Sequence, residues 1–301
     1  HARLHAGSPD KFKKLIYTAL AGGSNTPSLF NDDVIIPTMT GVGYDIHDAR
    51  DYVAIGCVEP TAPGKTLGST DAAMVNVPLL MELALNQGRC FGSLMRIGAK
   101  TLPVKQMKSM DDVTTAFVIQ LNHMVGRMIK DLKAIESAHA CYRPIPLTSI
   151  FIEGCVSSGA CVTQGAACYN FSGIQGVGIA TVGDSLCAIE QIVFQDKKIS
   201  LDRLRDVLAA DNKDPYWFAI MLRAPKFGNN DDRADFWTDF VVSEYAKAMR
   251  NAGKNTRGGQ YIAGIYSNTA HMHFGRMTGA LPCGRSRGET FPSGMAPQNG
   301  M

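Results

Sequence analysis

The stretch "DYVAIGCVEPTAPGK" (residues 51–65) places Cys57 two residues before Glu59. In an extended strand, residues i and i+2 share a face, so both side chains are expected to face one cavity. Pro60 and Pro63 are expected to end this strand and to stiffen the loop after it. On this pattern alone two interpretations stay open: an inert buried thiol beside a solvated glutamate, or a reactive pair.

The composition is that of an ordinary globular protein. With 301 residues, 45% of them hydrophobic and 19% charged, the chain can form one large α/β domain or two smaller ones. A net charge of +3, without a basic stripe interleaved with aromatic residues, argues against nucleic-acid binding. The longest apolar runs, such as residues 74–86, contain Asn, Pro and Glu, so no segment is expected to span a bilayer.

The eight cysteines form no CxxC pair, which disfavours both a zinc site and a small disulfide scaffold. We expect mostly reduced thiols in a cytoplasmic chain. His271 and His273 lack an evident third ligand, so no metal site is predicted. The run "GIQGVG" (residues 173–178) resembles a phosphate-binding loop only loosely, and no bound cofactor is predicted.

Strand patterns alternate with helix patterns along the chain. This predicts an α/β fold with a mainly parallel sheet covered by helices, which can close as a barrel. The predicted elements are a helix at 8–23, a strand at 32–41, a helix and strand over 45–57, a helix at 69–88, the longest helix at 109–142, a strand at 144–155, a loop at 156–178, helices between 184 and 253, and a strand at 260–269.

Thr70 and Asp71 open the predicted helix at 69–88. A helix N-terminus suits a polar ligand group, and an aspartate there can equally cap the helix. Both interpretations stay open on the pattern alone.

Several motifs in order resemble those of the glycyl radical enzymes. "GCVEP" followed by "PGK" and "DAA…N…ELALN.G" is similar to their thiyl-radical loop, and "EGC…G…T.GAA.YNFSGIQGVG", "APKFGNNDD.AD" and "TGALPCGR..GE.F.SG.AP.NG" follow. The resemblance covers essentially the whole chain. It implies an α/β fold that is part of a ten-stranded barrel of two five-stranded halves, with the cysteine loop inside. Residues 1–301 would be the central part of the catalytic domain, without its N-terminal part and the C-terminal glycyl radical domain.

The resemblance also implies a mechanism. In that family an activating enzyme that uses S-adenosylmethionine and an iron–sulfur cluster installs a glycine backbone radical, which passes its unpaired electron to the loop cysteine. Cys57 would then take a hydrogen atom from substrate carbon, and Glu59 would deprotonate a neighbouring hydroxyl so that a leaving group departs. Asp71 falls where diol dehydratases place a carboxylate on a substrate hydroxyl, and Thr70 where the choline lyase lines its pocket.

The subclass can be narrowed by the same resemblance. A single cysteine in the loop disfavours formate acetyltransferase-like cleavage of a C–C bond, and Cys-Val-Glu is similar to the dehydratases, the choline and isethionate lyases and the arylacetate decarboxylases. Thr70 stands where diol dehydratases tend to show His. We therefore favour radical elimination by C–O, C–N or C–S cleavage from a small polar substrate, with decarboxylation of an arylacetate as the alternative.

Two further alternatives come from other protein classes. One is an inactive, truncated relative that acts as a binding or scaffold protein. The other is a hydrolase with Cys57 as nucleophile and a histidine base, for which His47 is the nearest histidine in sequence. Replacing Glu59 by Gln discriminates, because only the radical enzyme should lose turnover.

The chain departs from the family pattern at a few positions. Ala166 replaces a glycine and Cys283 an aspartate, and both changes are expected to be structural. Gly43 in "GVGY" is rejected as the radical site, because it precedes Cys57 and lacks the Arg-Val of the family's "RVxGY" loop. The expected partners are a small-molecule substrate, the activating enzyme, the rest of the full-length enzyme and a second copy in a homodimer.

Overall fold

The longest predicted element is also the longest in the computed structural model, which describes residues 1–56 and 58–297. It is a helix of 33 residues, Met110–Tyr142, with two aspartates in its first turn, where the helix dipole favours negative charge. Its buried residues, among them Val113, Phe117 and Leu121, recur at helical spacing, as the pattern predicts.

The elements follow one another in this order. The strands are β1 Ala2–Leu4, β2 Leu29–Asn31, β3 Val53–Ile55, β4 Glu59–Thr61, β5 Ala73–Asn76, β6 Ser172–Val177 and β7 Tyr261–Gly264. The helices are α1 Asp10–Ala21, α2 Asp32–Gly41, α3 Ile46–Arg50, α4 Val77–Leu85, α5 Met110–Tyr142, α6 Pro146–Ser149, α7 Cys155–Ser158, α8 Ile179–Ile189, α9 Leu201–Ala209, α10 Pro215–Leu222, α11 Asp232–Asn251 and α12 Ala270–Met277. Single 3-10 turns occur at Val104–Gln106 and Val162–Gln164, and α8 continues as a π-helix over Glu190–Gln195.

The strands form three small sheets. β1 pairs with β2 in parallel, β3 pairs with β4 antiparallel, and β5, β6 and β7 form a sheet in that order, with β5 parallel to β6. The predicted α/β class is confirmed. The strands of the described residues close no barrel, so the expected barrel is not seen in this part of the chain.

Three predicted elements are wrong. Residues 32–41 form helix α2 instead of a strand, because the Asn31 side chain accepts a hydrogen bond from the Asp33 amide and starts a helix despite the β-branched Val-Ile-Ile run. Residues 144–155 contain the short helix α6 and end at the first residue of α7, and they form no strand. The loop predicted at 156–178 contains strand β6.

The chain folds into two compact units. The first consists of His1–Thr70, Glu136–Ser172 and Lys254–Gly259, and the second of Asp71–Ile135, Gly173–Gly253 and the residues from Gln260. The first unit holds two small apolar clusters, one around Phe30 and Tyr52 and one around Cys155 and Val162. The second unit holds one large apolar core to which α4, α5, α8 and α11 contribute.

Candidate active site

The segment with the predicted reactive pair is a hairpin. β3 and β4 pair antiparallel, with Ile55 opposite Glu59 and Val53 opposite Thr61. The chain reverses at Gly56, whose φ of +56° is accessible to glycine at little cost. β3 ends at Ile55 and the antiparallel β4 begins at Glu59, so the expected single strand is wrong for the described residues, and Pro60 lies within β4 instead of ending a strand.

Cys57, the predicted radical residue, lies outside the described residues. Its neighbours in sequence, Gly56 and Val58, belong to the turn that joins β3 to β4. Its predicted role stays a prediction.

Glu59 is buried beside this turn. Only 9% of the residue is exposed, and its Oε2 accepts a hydrogen bond of 2.9 Å from the Val58 amide. A Cβ atom placed on Gly56 would lie 3.0 Å from the same Oε2, so the carboxylate folds back over the turn. The solvated glutamate that the sequence left open is thereby excluded. A carboxylate held this way is an acceptor that can take a proton from a substrate hydroxyl.

Thr70 and Asp71 do not start a helix. They lie in a turn before β5, and α4 begins only at Val77, where the Asn76 side chain accepts a hydrogen bond of 3.1 Å from the Leu79 amide. Residues 73–76 are extended because they pair with β6, so the predicted cap at Thr70 and Asp71 is wrong. Asp71 is exposed and Thr70 is half-buried.

Contacts within the first unit connect Thr70 with the hairpin. The Thr70 amide donates to the Gly68 carbonyl at 2.8 Å. Gly68 has a φ of +71°, and a Cβ there would lie 2.7 Å from Cδ1 of Ile55, the residue opposite Glu59. Gly68, which Thr70 contacts, and Glu59 thus both lie next to residues that flank the β3–β4 turn. For Asp71 the structure gives its place in the chain, one residue further.

A polar cluster joins the two ends of the hairpin. The Lys65 ammonium lies 2.7 Å from Asp48 Oδ1, and the Tyr169 hydroxyl donates to Asp48 Oδ2 at 2.6 Å. The hydrogen bond from Lys65, followed by that from Tyr169, lowers the pKa of Asp48. The sequence did not single out Asp48 or Tyr169 for any role. The only signal was that Tyr169 falls in the motif "YNFSG".

Gly43, the residue rejected as a radical site, ends helix α2. Its φ is +109°, its amide donates to the Thr40 carbonyl, and the Tyr44 amide donates to the Met39 carbonyl, each at 3.1 Å. This pair of bonds is the Schellman motif, in which a glycine with positive φ closes a helix. A structural reason therefore accounts for this glycine.

Among residues 1–56 and 58–297, no group of three His, Cys, Asp or Glu side chains could hold a metal ion. His271 and His273 lie on α12. Hydrogen bonds from Ser149, Thr163 and the Ile145 amide lower the pKa of the Cys161 thiol to about 7, against the effect of burial. No helix in the described part of the chain is long and apolar enough to cross a membrane.

Known proteins are similar to this chain in sequence and in fold. The family model described as pyruvate formate lyase-like matches residues 1–275. A (2S)-3-sulfopropanediol dehydratase from Klebsiella oxytoca is 34% identical over 98% of this chain and 36% of its own length. The glycerol-bound B12-independent glycerol dehydratase from Clostridium butyricum superposes with a TM-score of 0.94 at 37% identity, over 99% of this chain and 38% of that one.

A further solved structure carries the family name itself. A glycyl radical enzyme from Archaeoglobus fulgidus superposes with a TM-score of 0.93 at 36% identity, over 99% of this chain and 38% of its own. The chain thus spans little more than a third of the length of these relatives. The protein belongs to the pyruvate formate lyase-like family of glycyl radical enzymes.

Proposed function

We propose that this chain carries the cysteine and the base of a glycyl radical lyase that eliminates water or another leaving group from a small polar substrate. The observation that carries the proposal is the placement of Glu59, which is buried and folded over the turn that contains the sequence position of Cys57. A carboxylate there is next in sequence and in space to the residues that flank the cysteine.

The proposed step uses residues of this chain. The glycyl radical, outside this chain, would be the acceptor of a hydrogen atom, and Cys57 would become a thiyl radical by giving up the hydrogen atom of its thiol. Cys57 then takes a hydrogen atom from the substrate carbon that bears a hydroxyl, and Glu59 accepts the proton of that hydroxyl as its carbonyl forms. The hydroxyl on the adjacent carbon leaves as water with the proton that Glu59 has accepted, and the product radical regains a hydrogen atom from the Cys57 thiol.

We assign substrate binding to Thr70 and Asp71. A hydroxyl and a carboxylate are the groups that bind substrate hydroxyls, and Thr70 contacts Gly68, which packs on the hairpin residue Ile55. The relatives with a sulfopropanediol and with glycerol as ligand or substrate favour a vicinal diol. Glycerol is therefore the first probe.

The whole protein's partners belong to the same proposal. Because the chain spans 36–38% of its relatives' length, we assign residues 1–301 to the central part of the catalytic domain and the radical glycine to a part of the native protein outside them. The proposed partners are a radical S-adenosylmethionine activating enzyme and a second copy of the protein.

The test is a Glu59→Gln substitution in the full-length protein, activated under anaerobic conditions. We expect turnover of glycerol to an aldehyde to fall at least about a hundredfold, because general acid–base catalysis contributes factors of about 10² to 10⁴. Glu244→Gln is the matched control, since Glu244 lies on α11 and contacts Lys247 at 3.4 Å. Full elimination activity in Glu59→Gln would refute the role of Glu59.

A further inference from the structure

We infer that Asp48 and Tyr169 are positioning residues that hold the Glu59 hairpin in its reactive geometry. This inference rests on the proposed function for its catalytic part. Neither residue is expected to touch substrate. They act on Glu59 through the backbone of the hairpin, which contacts within the first unit hold in place.

The hairpin is too small to keep its own shape. β3 and β4 have three residues each, and Val53 and Val58 are exposed. An isolated two-stranded hairpin is at best marginally stable in water. The orientation of Glu59 therefore depends on contacts outside the two strands.

An ion pair closes the open end of the hairpin. Asp48 lies on α3, just before β3, and Lys65 lies just after β4. Their side chains meet at 2.7 Å and are 17% and 31% exposed. The pair thus joins the segment that enters the hairpin to the segment that leaves it.

Tyr169 locks this closure with both its backbone and its side chain. Its amide donates to the Lys65 carbonyl at 3.0 Å, and it forms a parallel bridge with Thr66. Its hydroxyl donates to Asp48 Oδ2 at 2.6 Å and accepts from the Asp45 amide at 3.0 Å. Tyr169 therefore contacts both the segment that enters the hairpin and the segment that leaves it.

Aromatic packing fixes the Tyr169 ring from a third side. The ring centroids of Tyr44 and Tyr169 are 4.4 Å apart, and Tyr44 also packs on Phe171 at 5.0 Å. Removing only the Tyr169 hydroxyl would leave this packing in place and release the hydrogen bonds that join α3 to the cluster.

The consequence is catalytic because the proposed proton transfer depends on position. A misplacement of about 1 Å can cost about a hundredfold in rate. In Tyr169→Phe the hydroxyl is removed while the ring stays. This makes the inference testable.

The experiment compares Tyr169→Phe with the wild type in the full-length, activated protein. The first readout is amide hydrogen exchange of residues 53–61, which includes the Val58 amide that Glu59 binds. We expect exchange there to become about tenfold faster, because a hydrogen bond to a charged group is lost. The second readout is glycerol turnover, for which we expect kcat to fall about tenfold with KM nearly unchanged.

Two further variants control the experiment. Tyr17→Phe removes the same hydroxyl from an exposed tyrosine on α1 and should change neither readout. Asp48→Asn removes the ion pair with Lys65 and weakens the hydrogen bond from Tyr169, so it should affect both readouts at least as strongly as Tyr169→Phe. The double variant should be little worse than Asp48→Asn alone, because the two residues share one network.

Unchanged exchange at residues 53–61 in Tyr169→Phe would overturn the inference whatever the activity. Faster exchange with unchanged kcat would also overturn it, since the network would then stabilise the hairpin without positioning Glu59. If the wild type itself does not convert glycerol, the proposed glycerol reaction fails separately, and the exchange of residues 53–61 alone decides whether the network holds the hairpin.

Discussion

Different forces stabilise the interior of each of the two compact units. In the first unit, polar contacts join three separate chain segments: Tyr169 with Asp48, and Asn255 with the Asn170 carbonyl, each at 2.6 Å. Further polar contacts lie within a segment: Lys65 with Asp48, and Ser172 with Glu136 at 2.7 Å. Its apolar clusters are small. In the second unit, one continuous apolar core includes buried residues of six helices, α4, α5, α8, α9, α10 and α11.

This difference shows that the contacts that fix local geometry are not the contacts that contribute most to the free energy of folding. Hydrogen bonds and ion pairs are directional, so they fix the geometry of a small hairpin, while each adds little net stability. Apolar burial is non-directional and contributes in proportion to area, so it dominates the free energy of folding. Glu59 and Thr70 of the candidate site lie in the first unit, where directional polar contacts set the local geometry.

The largest effect is expected from the apolar core. Phe117 on α5 is fully buried, so Phe117→Ala should lower the free energy of unfolding by about 3–5 kcal/mol through lost burial and a new cavity. Denaturant titration measures this loss. Phe236→Ala is the control, because Phe236 is 62% exposed on α11 and its truncation should cost under about 0.5 kcal/mol. Equal losses in the two variants would contradict the comparison.

A smaller effect is expected from a buried carboxylate in the same core. Asp184 on α8 is fully buried, its Oδ1 accepts a hydrogen bond from the Phe227 amide at 2.7 Å, and its Oδ2 has no hydrogen-bond partner among the residues that the structure describes. Burial raises its pKa from an ordinary 3.8 to about 6, although the Phe227 amide and the Lys226 charge oppose the change. The folded state therefore holds the proton more tightly than the unfolded state does.

The sign of the pH dependence follows. As the pH rises from about 4 to above 6, Asp184 loses its proton first in the unfolded state, so the folded state becomes less stable by up to about 3 kcal/mol. Asp184→Asn should remove this dependence, which unfolding titrations at pH 4.5 and pH 7.5 would measure. An unaltered dependence in that variant would contradict the assignment.

Asp48 provides the matched comparison in the first unit. Its pKa is lowered, with the Lys65 hydrogen bond as the first cause, so its contribution is present above its ordinary pKa and is lost as the pH falls below it. The contribution of Asp48 to the free energy of unfolding therefore grows as the pH rises, opposite to that of Asp184, and Asp48→Asn should remove it. The sign of the pH dependence of the unfolding free energy would thus distinguish the polar network around Asp48 from the apolar core around Asp184.

The sequence predicted those parts of the fold that depend on local pattern. The apolar periodicity of residues 110–142 and 232–251 was sufficient for α5 and α11. It failed at α2, because a single Asn31 cap outweighed a β-branched run, and at residues 69–76, because pairing of β5 with β6 is a contact across about a hundred residues. No periodicity within a window can show such pairing.

The same limit applies to the candidate site. Cys57 and Glu59 are two residues apart in sequence, and their motif resembles that of one family, so the sequence could single out both, and their roles stay predictions. Asp48 and Tyr169 are 121 residues apart, and neither residue type is unusual in its local segment. Only the folded chain brings them together at the hairpin.

The smallest effect is expected at Gly43, where a substitution tests whether this glycine is structural or carries the radical. Gly43 has a φ of +109° in the Schellman motif that ends α2, and a Cβ there would meet no atom within 4 Å. Gly43→Ala should therefore cost only backbone strain, about 1–2 kcal/mol in a denaturant titration. Because this glycine ends a helix, the glycyl radical of the activated full-length protein should form in Gly43→Ala with the wild-type electron paramagnetic resonance signal. If the variant folded but gave no radical signal, Gly43 could no longer be treated as a structural glycine, and the assignment of the radical to another part of the protein would be wrong.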